Sequence, residues 1–255
     1  FFYLRIEKIL YQSMWQSEKG VVTSSVRHND GTCVVRVFTL SYGMVPFIFY
    51  LSKKGKKASR NTLIQPMTQI EFETDYIPSA TLMKMRDIKN AKPYKEIPFN
   101  PKKSAISLFM SEYLTHALSR EQSNPGLFDY IVKSIGWLDN ANEGKFANFH
   151  LLFALGVSSY TGICPNTDEY RPGYLLNLRE GNFIPSPPGH NDYADANLSY
   201  KIALLAGADF DTMSDIPLTG AERVEILNIL NHYFRLHIPS FPILKSIEVL
   251  QAVFG

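Results

Sequence analysis

The chain has 255 residues, of which 45% are hydrophobic and 20% charged, and its formal net charge is +2. This is the composition of a globular protein, which excludes a disordered or fibrous chain, and the length suits two domains of ordinary size. The two cysteines are too few for a disulfide framework, and no stretch reaches ~18 uncharged apolar residues, the length of a membrane span. We therefore expect a soluble, cytoplasmic protein.

Charge is distributed unevenly along the chain. Residues 23–103 contain 14 Lys and Arg residues against 6 Asp and Glu, whereas residues 104–255 contain 9 against 16. An asymmetry of this kind predicts a polyanion as the partner of the basic part. Two domains with different roles are the simplest interpretation.

The basic part is predicted to be a β domain. Its β-branched and apolar runs are separated by turn residues, and they predict five strands over residues 20–26, 32–39, 45–51, 70–76 and 81–88. Five short strands with no long helix between them are typical of a small closed or nearly closed barrel of the OB-fold type.

The acidic part is predicted to be helical. Asn100 and Pro101 form a helix start, as N-cap and first helical residue, and an apolar face with helical spacing follows. Further helices are predicted over residues 124–138, 146–160, 219–236 and 246–254, the third of these from a capping-box match at residues 219–222. The fold class is therefore α+β and multi-domain, with an N-terminal OB-fold barrel followed by an all-α domain.

A proline-rich excursion interrupts the helical domain at about residues 164–197. It contains five prolines, and we expect an irregular segment there. A structural zinc site needs four N or S ligands, and the candidate ligands in this region are Cys164 and His190. His232 and His237 are five residues apart and so do not share the helix face that binds zinc at an i, i+4 spacing. We expect no metal site.

Motifs for catalysis are absent. The sequence contains no Gly-rich phosphate loop, no H-E-x-x-H and no G-x-S-x-G pattern. Asp209, Asp211 and Asp215 resemble a calcium loop but lack its Gly and terminal Glu, so they are interpreted as solvated loop carboxylates. His150 lies among apolar residues, which favours a hydrogen-bonded structural histidine over a catalytic base. We predict that the protein is not an enzyme and uses no cofactor.

The basic segment, residues 51–60 (LSKKGKKASR), is the sharpest local feature. It contains no acid, and we expect a flexible arm that projects from the barrel and follows a phosphate backbone through electrostatic contacts. Its candidate phosphate contacts are Lys53, Lys54, Lys56, Lys57 and Arg60. Further candidates are Arg36, Lys84 and Arg86 on the barrel, and Lys102 and Lys103 at the first helix's N-terminus, where the helix dipole also favours anions.

The third predicted strand also contains aromatic residues. Aromatic residues of the third strand (Phe47, Phe49 or Tyr50) are candidates for base stacking where they are exposed, although alternate ones must belong to the core.

One alternative function is a protein-interaction scaffold, in which the lysines serve only solubility. Another is a nuclease, for which Glu71, Glu73 and Asp75 on one predicted strand form the carboxylate cluster to test.

The order of these features resembles the RecO family of bacterial recombination mediators, from about Met14 onward. Residues 20–43 (GVVTSSVRHNDGTCVVRVFTLSYG) are similar to the family's opening, with a His-Asn-Asp turn at 28–30 in place of the usual aromatic-Gly-acid turn. The basic segment and residues 63–68 (LIQPMT) continue the match. Short segments of the acidic part also resemble landmarks of the family's helical domain: residues 104–114, 127–130, 147–152, 162–165, 177–181, 233–239 and 245–254.

The resemblance implies DNA repair by a recombination mediator. Such a protein binds single- and double-stranded DNA, promotes strand annealing and, with RecR, loads RecA onto DNA coated by single-strand-binding protein, whose C-terminal tail the helical domain receives. Many members have a four-cysteine zinc module in the excursion, where this chain has only Cys164. The implied domains are 14–97 and 98–255, and residues 1–13 are expected to be an extension upstream of the family's usual start.

Overall fold

The chain divides into two compact units, described here from a computed structural model. The structure describes residues 15–51 and 55–254, and it gives no side-chain description for residues 55–59. Of the described residues, those up to 93 and 120–125 form the barrel unit, and residues 94–119 and 126–254 form the helical unit.

The barrel unit is a closed five-stranded barrel, as predicted. Its strands are β1 (Gln16–Asn29), β2 (Thr32–Thr39), β3 (Gly43–Tyr50), β4 (Gln69–Thr74) and β5 (Met83–Asn90). They are hydrogen-bonded in the order β1-β2-β3-β5-β4, with β4 closing onto β1. All neighbours are antiparallel except β3 and β5, which are parallel. The β3–β5 pairing is short, with Phe47 opposite Met83 and Ile48 opposite Lys84.

Alternating side chains of the strands fill the barrel. In β3, Val45, Phe47 and Phe49 point inward and are buried, whereas the two residues between them are partly exposed. Phe47 meets Phe72 of β4 edge to face, with ring centroids 5.2 Å apart. The period of two that predicted these strands from the sequence thus also determines which residues form the core.

The connection between β3 and β4 departs from the prediction. A flexible arm was expected, but Gly55–Ile64 forms a 3-10 helix. Ile64 is buried in the barrel core and Leu63 packs against it, which anchors the end of this helix. The expectation of an arm is therefore wrong from Gly55 onward, and residues 52–54 lie outside the described residues.

The helical unit contains six α-helices within its described residues. They are α1 (Pro101–Ala117), α2 (Pro125–Asn140), α3 (Phe149–Tyr160), α4 (Ala196–Ala206), α5 (Gly220–His237) and α6 (Ser246–Phe254). Asn100 caps α1 by accepting the N–H of Lys102 at 3.0 Å, and the capping box of Thr219 and Glu222 opens α5, both as predicted. Among the described residues, no helix is long and apolar enough to cross a membrane.

The proline-rich excursion contains short regular elements that the sequence did not predict. It contains a small hairpin of β6 (Leu175–Asn177) and β7 (Asn182–Ile184), followed by α4, which was not predicted. Asp195 caps α4 by accepting the N–H of Leu198 at 2.9 Å. Ser199 joins the helix to the hairpin, because its Oγ accepts the N–H of Leu176 at 2.7 Å.

Candidate nucleic-acid interface

Two rows of side chains cross the outer face of the barrel. Strand pairing aligns β1 with β2, β2 with β3, and β3 with β5, so residues opposite each other form continuous rows. The first row contains Ser24, Arg36 and Pro46, and the second contains Val26, Val34, Ile48 and Lys84. This face brings two of the predicted phosphate contacts, Arg36 and Lys84, into neighbouring rows.

Arg36 and Lys84 are the cations of these two rows. Both residues are exposed, and neither has an acidic partner among the described residues. They lie two strands and two residues apart, a separation of roughly 12 Å from ordinary strand spacing. Since their charges are not neutralised within the described barrel, both are available to an anionic ligand.

Arg86 lies in a different environment from Arg36 and Lys84. Its Nε and Nη2 both donate to Glu73 Oε2 at 2.7 Å, and its guanidinium stacks 4.1 Å from the centre of the Trp15 ring. A phosphate would have to compete with Glu73 for this arginine. Lys19 and Glu71 form a second ion pair nearby, with Nζ and Oε1 3.7 Å apart.

These ion pairs also bear on the nuclease alternative. Glu71 and Glu73 each face a cation, and Asp75 follows the end of β4 at Thr74. Within the part of the chain that the structure describes, no group of three His, Cys, Asp or Glu side chains is arranged to hold a metal ion. The structure does not bring the three carboxylates together as a two-metal site would require.

One aromatic residue of β3 is available for stacking. Phe47 and Phe49 belong to the barrel core, whereas Tyr50, the last residue of β3, is 66% exposed. The sequence alone could not show which of Phe47, Phe49 and Tyr50 is exposed, because residues 45–51 are apolar almost throughout. Sequence reasoning missed the outward-facing Val26, which is 64% exposed. Its exposure could have been recognised from the sequence, because alternation along the strand assigns this apolar residue to the solvent-facing side.

The basic segment is only partly described. Lys53 and Lys54 lie outside the described residues, and Lys56 and Lys57 lie in the 3-10 helix at positions whose side chains are not described. Arg60 is exposed. The role of these five residues as phosphate contacts stays a prediction.

Two candidates at the start of α1 have internal partners in the helical unit. Lys102 Nζ lies 2.6 Å from Glu143 Oε1 at the surface. Lys103 is only 2% exposed, and its Nζ donates to the backbone oxygen of Asp139 at 3.0 Å. Its ammonium group is also 5.5 Å from the centre of the Phe146 ring. Lys103 therefore does not reach the surface, and we leave it out of the interface.

The histidines of α5 contact the excursion. His232 Nε2 lies 2.8 Å from Asp192 Oδ1, and Arg179 Nε donates to Asp192 Oδ2 at 2.6 Å. These hydrogen bonds, from His232 first and then Arg179, lower the pKa of Asp192 below its usual range. His237 Nε2 lies 2.8 Å from the backbone oxygen of Leu178. Both histidines join α5 to the hairpin region and are explained as structural contacts.

The remaining candidates for chemistry are structural as well. His150 is buried, and burial lowers its pKa to about 3, so it is uncharged at neutral pH. Asp209 accepts hydrogen bonds from the N–H groups of Asp211 and Thr212, at 3.0 and 2.9 Å, and so closes its own loop. Burial and local hydrogen bonds thus account for these groups within the described residues.

Comparison with known proteins identifies similar sequences over both units. Residues 14–94 match the family model described as Recombination protein O N terminal, and residues 98–246 match Recombination protein O C terminal. The DNA repair protein RecO of Phocaeicola vulgatus is 35% identical over 242 residues, which cover 95% of this chain and 100% of the relative. That of Bacteroides fragilis is 36% identical, covering 94% and 100%. That of Flavobacterium psychrophilum is 31% identical, covering 93% and 98%.

Proposed function

Because the chain belongs to the RecO family of DNA repair proteins, we propose that it is a recombination mediator that binds single- and double-stranded DNA and promotes annealing. The observation that supports DNA binding best is the outer barrel face, where Arg36 and Lys84 have no acidic partner among the described residues. The excess of basic residues between 23 and 103 extends the same positive potential to the basic segment.

Annealing by such a protein needs electrostatics rather than bond-making chemistry. Two complementary strands repel each other through their phosphates, and the repulsion is strongest at low salt. Arg36, Lys84 and the lysines of the basic segment would neutralise phosphates of both strands and so lower this repulsion. No cofactor is required, because no covalent bond forms or breaks.

We propose that the helical unit supplies the protein contacts. Its acidic excess makes it a poor binder of phosphates and leaves it to interact with other proteins. The proposed partners are RecR and the C-terminal tail of single-strand-binding protein, and the result of their joint action is loading of RecA in the cytoplasm. Loading is tested by following RecA's DNA-dependent ATP hydrolysis on coated single strands, with RecR alone and with RecR plus this protein. Faster onset only with both proteins supports the proposal, and an unchanged onset contradicts it.

DNA binding itself is tested by fluorescence anisotropy of a labelled single-stranded oligonucleotide across a salt series. The variant replaces Lys53, Lys54, Lys56 and Lys57 by alanine. Each phosphate contact contributes about −0.7 to the slope of log affinity against log salt, so losing four should flatten the slope by roughly 2–3.

The matched control removes four exposed cations of the helical unit: Lys133, Lys145, Arg171 and Arg235. We expect the control to keep the slope of the unmodified protein. An unchanged slope in the lysine variant would place the site away from the basic segment, and absence of binding by the unmodified protein at low salt would favour a protein-interaction scaffold.

A further inference from the structure

The outer face of the barrel has an apolar stripe that the barrel fold does not need. Antiparallel strands with one buried face normally place polar residues on the other. Here the outward positions of three adjacent strands hold Val26 and Val34, together with Pro46, Ile48 and Tyr50 of β3. We call these five residues the apolar stripe. Val26 and Tyr50 are exposed and the other three residues are partly exposed. Apolar surface that is continuous rather than scattered marks a binding site.

Tyr50 provides the aromatic end of the apolar stripe. In the β2–β3 register it lies opposite Thr32 and diagonal to Val34, and Ile48 is two residues back on the same strand. Its ring makes no stacking contact with another aromatic ring in the described part of the chain, unlike Tyr42, whose ring lies 4.0 Å from that of Tyr76. The exposed ring is therefore free to stack on a ligand.

Cations border the apolar stripe. Arg36 lies opposite Pro46 in one row, and Lys84 lies opposite Ile48 in the next. Neither row contains a carboxylate, and Asp30 belongs to the turn between β1 and β2. Asp87 follows Lys84 by three residues on β5, and its Oδ2 lies 3.9 Å from Arg86 Nε. Beyond Tyr50 the chain continues into the lysines of the basic segment. The ligand that complements this arrangement has an apolar, stackable surface and regularly spaced negative charges.

A single nucleic-acid strand has both stackable base faces and regularly spaced negative charges, whereas a duplex exposes only the charges. In a duplex the faces of the bases are stacked on each other, so a protein contacts phosphates and base edges. In a single strand each base has an accessible π-face that stacks on aromatic side chains, whatever its sequence. Building on the function proposed above, we propose that the apolar stripe binds unpaired bases through Tyr50, and that this contact makes the barrel prefer single-stranded to double-stranded DNA.

The proposal separates two contributions to binding. Arg36 and Lys84 contact phosphates and so act on both forms of DNA, with a salt dependence. Tyr50 contacts bases and so acts only on unpaired strands, independently of salt. Replacing Tyr50 should therefore change the preference for single strands, whereas replacing the two cations should weaken binding of both forms.

The test compares three fluorescent probes of equal length by anisotropy: a single-stranded oligonucleotide, an abasic strand with the same number of phosphates, and a duplex. The variants of the full chain are Tyr50→Ala, Tyr50→Phe, which keeps the ring, and Tyr50→Leu, which keeps apolar volume without the ring. Tyr200→Ala removes an exposed tyrosine of α4 and serves as the control. Thermal unfolding of each variant confirms that it is folded.

We expect Tyr50→Ala and Tyr50→Leu to weaken binding of the base-bearing single strand by about 5- to 150-fold, the range for loss of one base stack. Binding of the abasic strand and the duplex should stay unchanged, as should the salt slope, and Tyr50→Phe and Tyr200→Ala should behave like the unmodified protein. Unaltered single-strand binding in folded Tyr50→Ala, or equal weakening for all three probes, overturns the base-binding role while DNA binding stands. If the unmodified protein binds none of the probes, both this proposal and the proposed function are overturned.

Discussion

His150 should make the stability of the helical unit depend on pH. It lies on α3 and is 2% exposed, with its ring edge-on to Phe109 at 6.0 Å between centroids. Its Nδ1 has no hydrogen-bond partner within the described residues. Burial, and then the positive charge of Arg223, lower its pKa to about 3. In the unfolded chain the same imidazole titrates near ~6.5.

The direction of the effect follows from this difference in pKa. Between about pH 6.5 and 3 the unfolded chain binds a proton at His150 that the folded protein excludes, so acid favours unfolding. The stability is fully present above the unfolded pKa and is lost as the pH falls toward the folded pKa. The slope is about 1.4 kcal/mol per pH unit, so lowering the pH from 7 to 5 should cost about 2 kcal/mol through this residue alone.

Urea unfolding at pH 7, 6 and 5 measures this cost, with His150→Gln as the variant that cannot gain the charge. Fluorescence of Trp137, whose ring stacks on Phe149 at 5.4 Å, reports on the helical unit when Trp15 is replaced by Phe in both proteins. We expect the parent to lose about 2 kcal/mol more than the variant between pH 7 and 5. An equal loss in both proteins would refute the argument that burial excludes the proton.

Three other substitutions test individual contacts. Asp139→Asn should lower the free energy of unfolding by about 2 kcal/mol at pH 7, because the carboxylate accepts three backbone N–H groups of residues 95–97. Burial opposes ionisation of Asp139, but these hydrogen bonds and the charge of Lys103 lower its pKa below the usual range. In urea titrations, the difference in free energy of unfolding between the unmodified protein and Asp139→Asn should therefore vanish as the pH falls through that lowered pKa. Gly43→Ala should destabilise the barrel by more than about 2 kcal/mol in thermal unfolding, because φ is +71° and a Cβ would lie 2.2 Å from the Glu121 backbone oxygen. Glu112→Gln should cost about 1.5 kcal/mol in urea unfolding, because its carboxylate accepts backbone N–H groups at the start of α6, and an unchanged midpoint would contradict that role.

Local signals predicted the secondary structure well. The alternation in β3 needs only neighbouring residues, and the strand was placed correctly to within two residues at each end. Asn100 and the Thr219 capping box were identified because a helix N-cap is formed by residues two or three positions apart. The family resemblance, drawn from the order of short motifs, is confirmed by the family models over both units.

The sequence could not predict what depends on contacts between distant residues. Arg86 looked like a free cation because its pairing with Glu73 requires the β4–β5 register. Helix α4 was missed because its cap at Asp195 follows a proline-rich stretch, and its anchor to Leu176 is distant in sequence. The burial of Lys103 did leave a signal, since it lies three residues before Ile106 on the apolar face of α1.

The barrel face shows the same limit for the site. Alternation alone would have placed Arg36 and Tyr50 outside the barrel, but residues 45–51 are apolar almost throughout and left the phase of β3 undetermined. Only the closed sheet aligns Arg36, Val34 and Lys84 across three strands. The apolar stripe therefore emerged from strand register rather than from any single motif.

The central claim, that this chain anneals DNA through its barrel, is tested most directly by the annealing rate of two complementary fluorescent single strands at low salt. The comparison includes the protein, its Arg36→Glu, Lys84→Glu variant, and a Lys133→Glu, Lys145→Glu control in the helical unit. We predict that the protein and the control accelerate annealing and that the barrel variant does not. An annealing rate equal to that of the strands alone, or full acceleration by the barrel variant, would contradict the account.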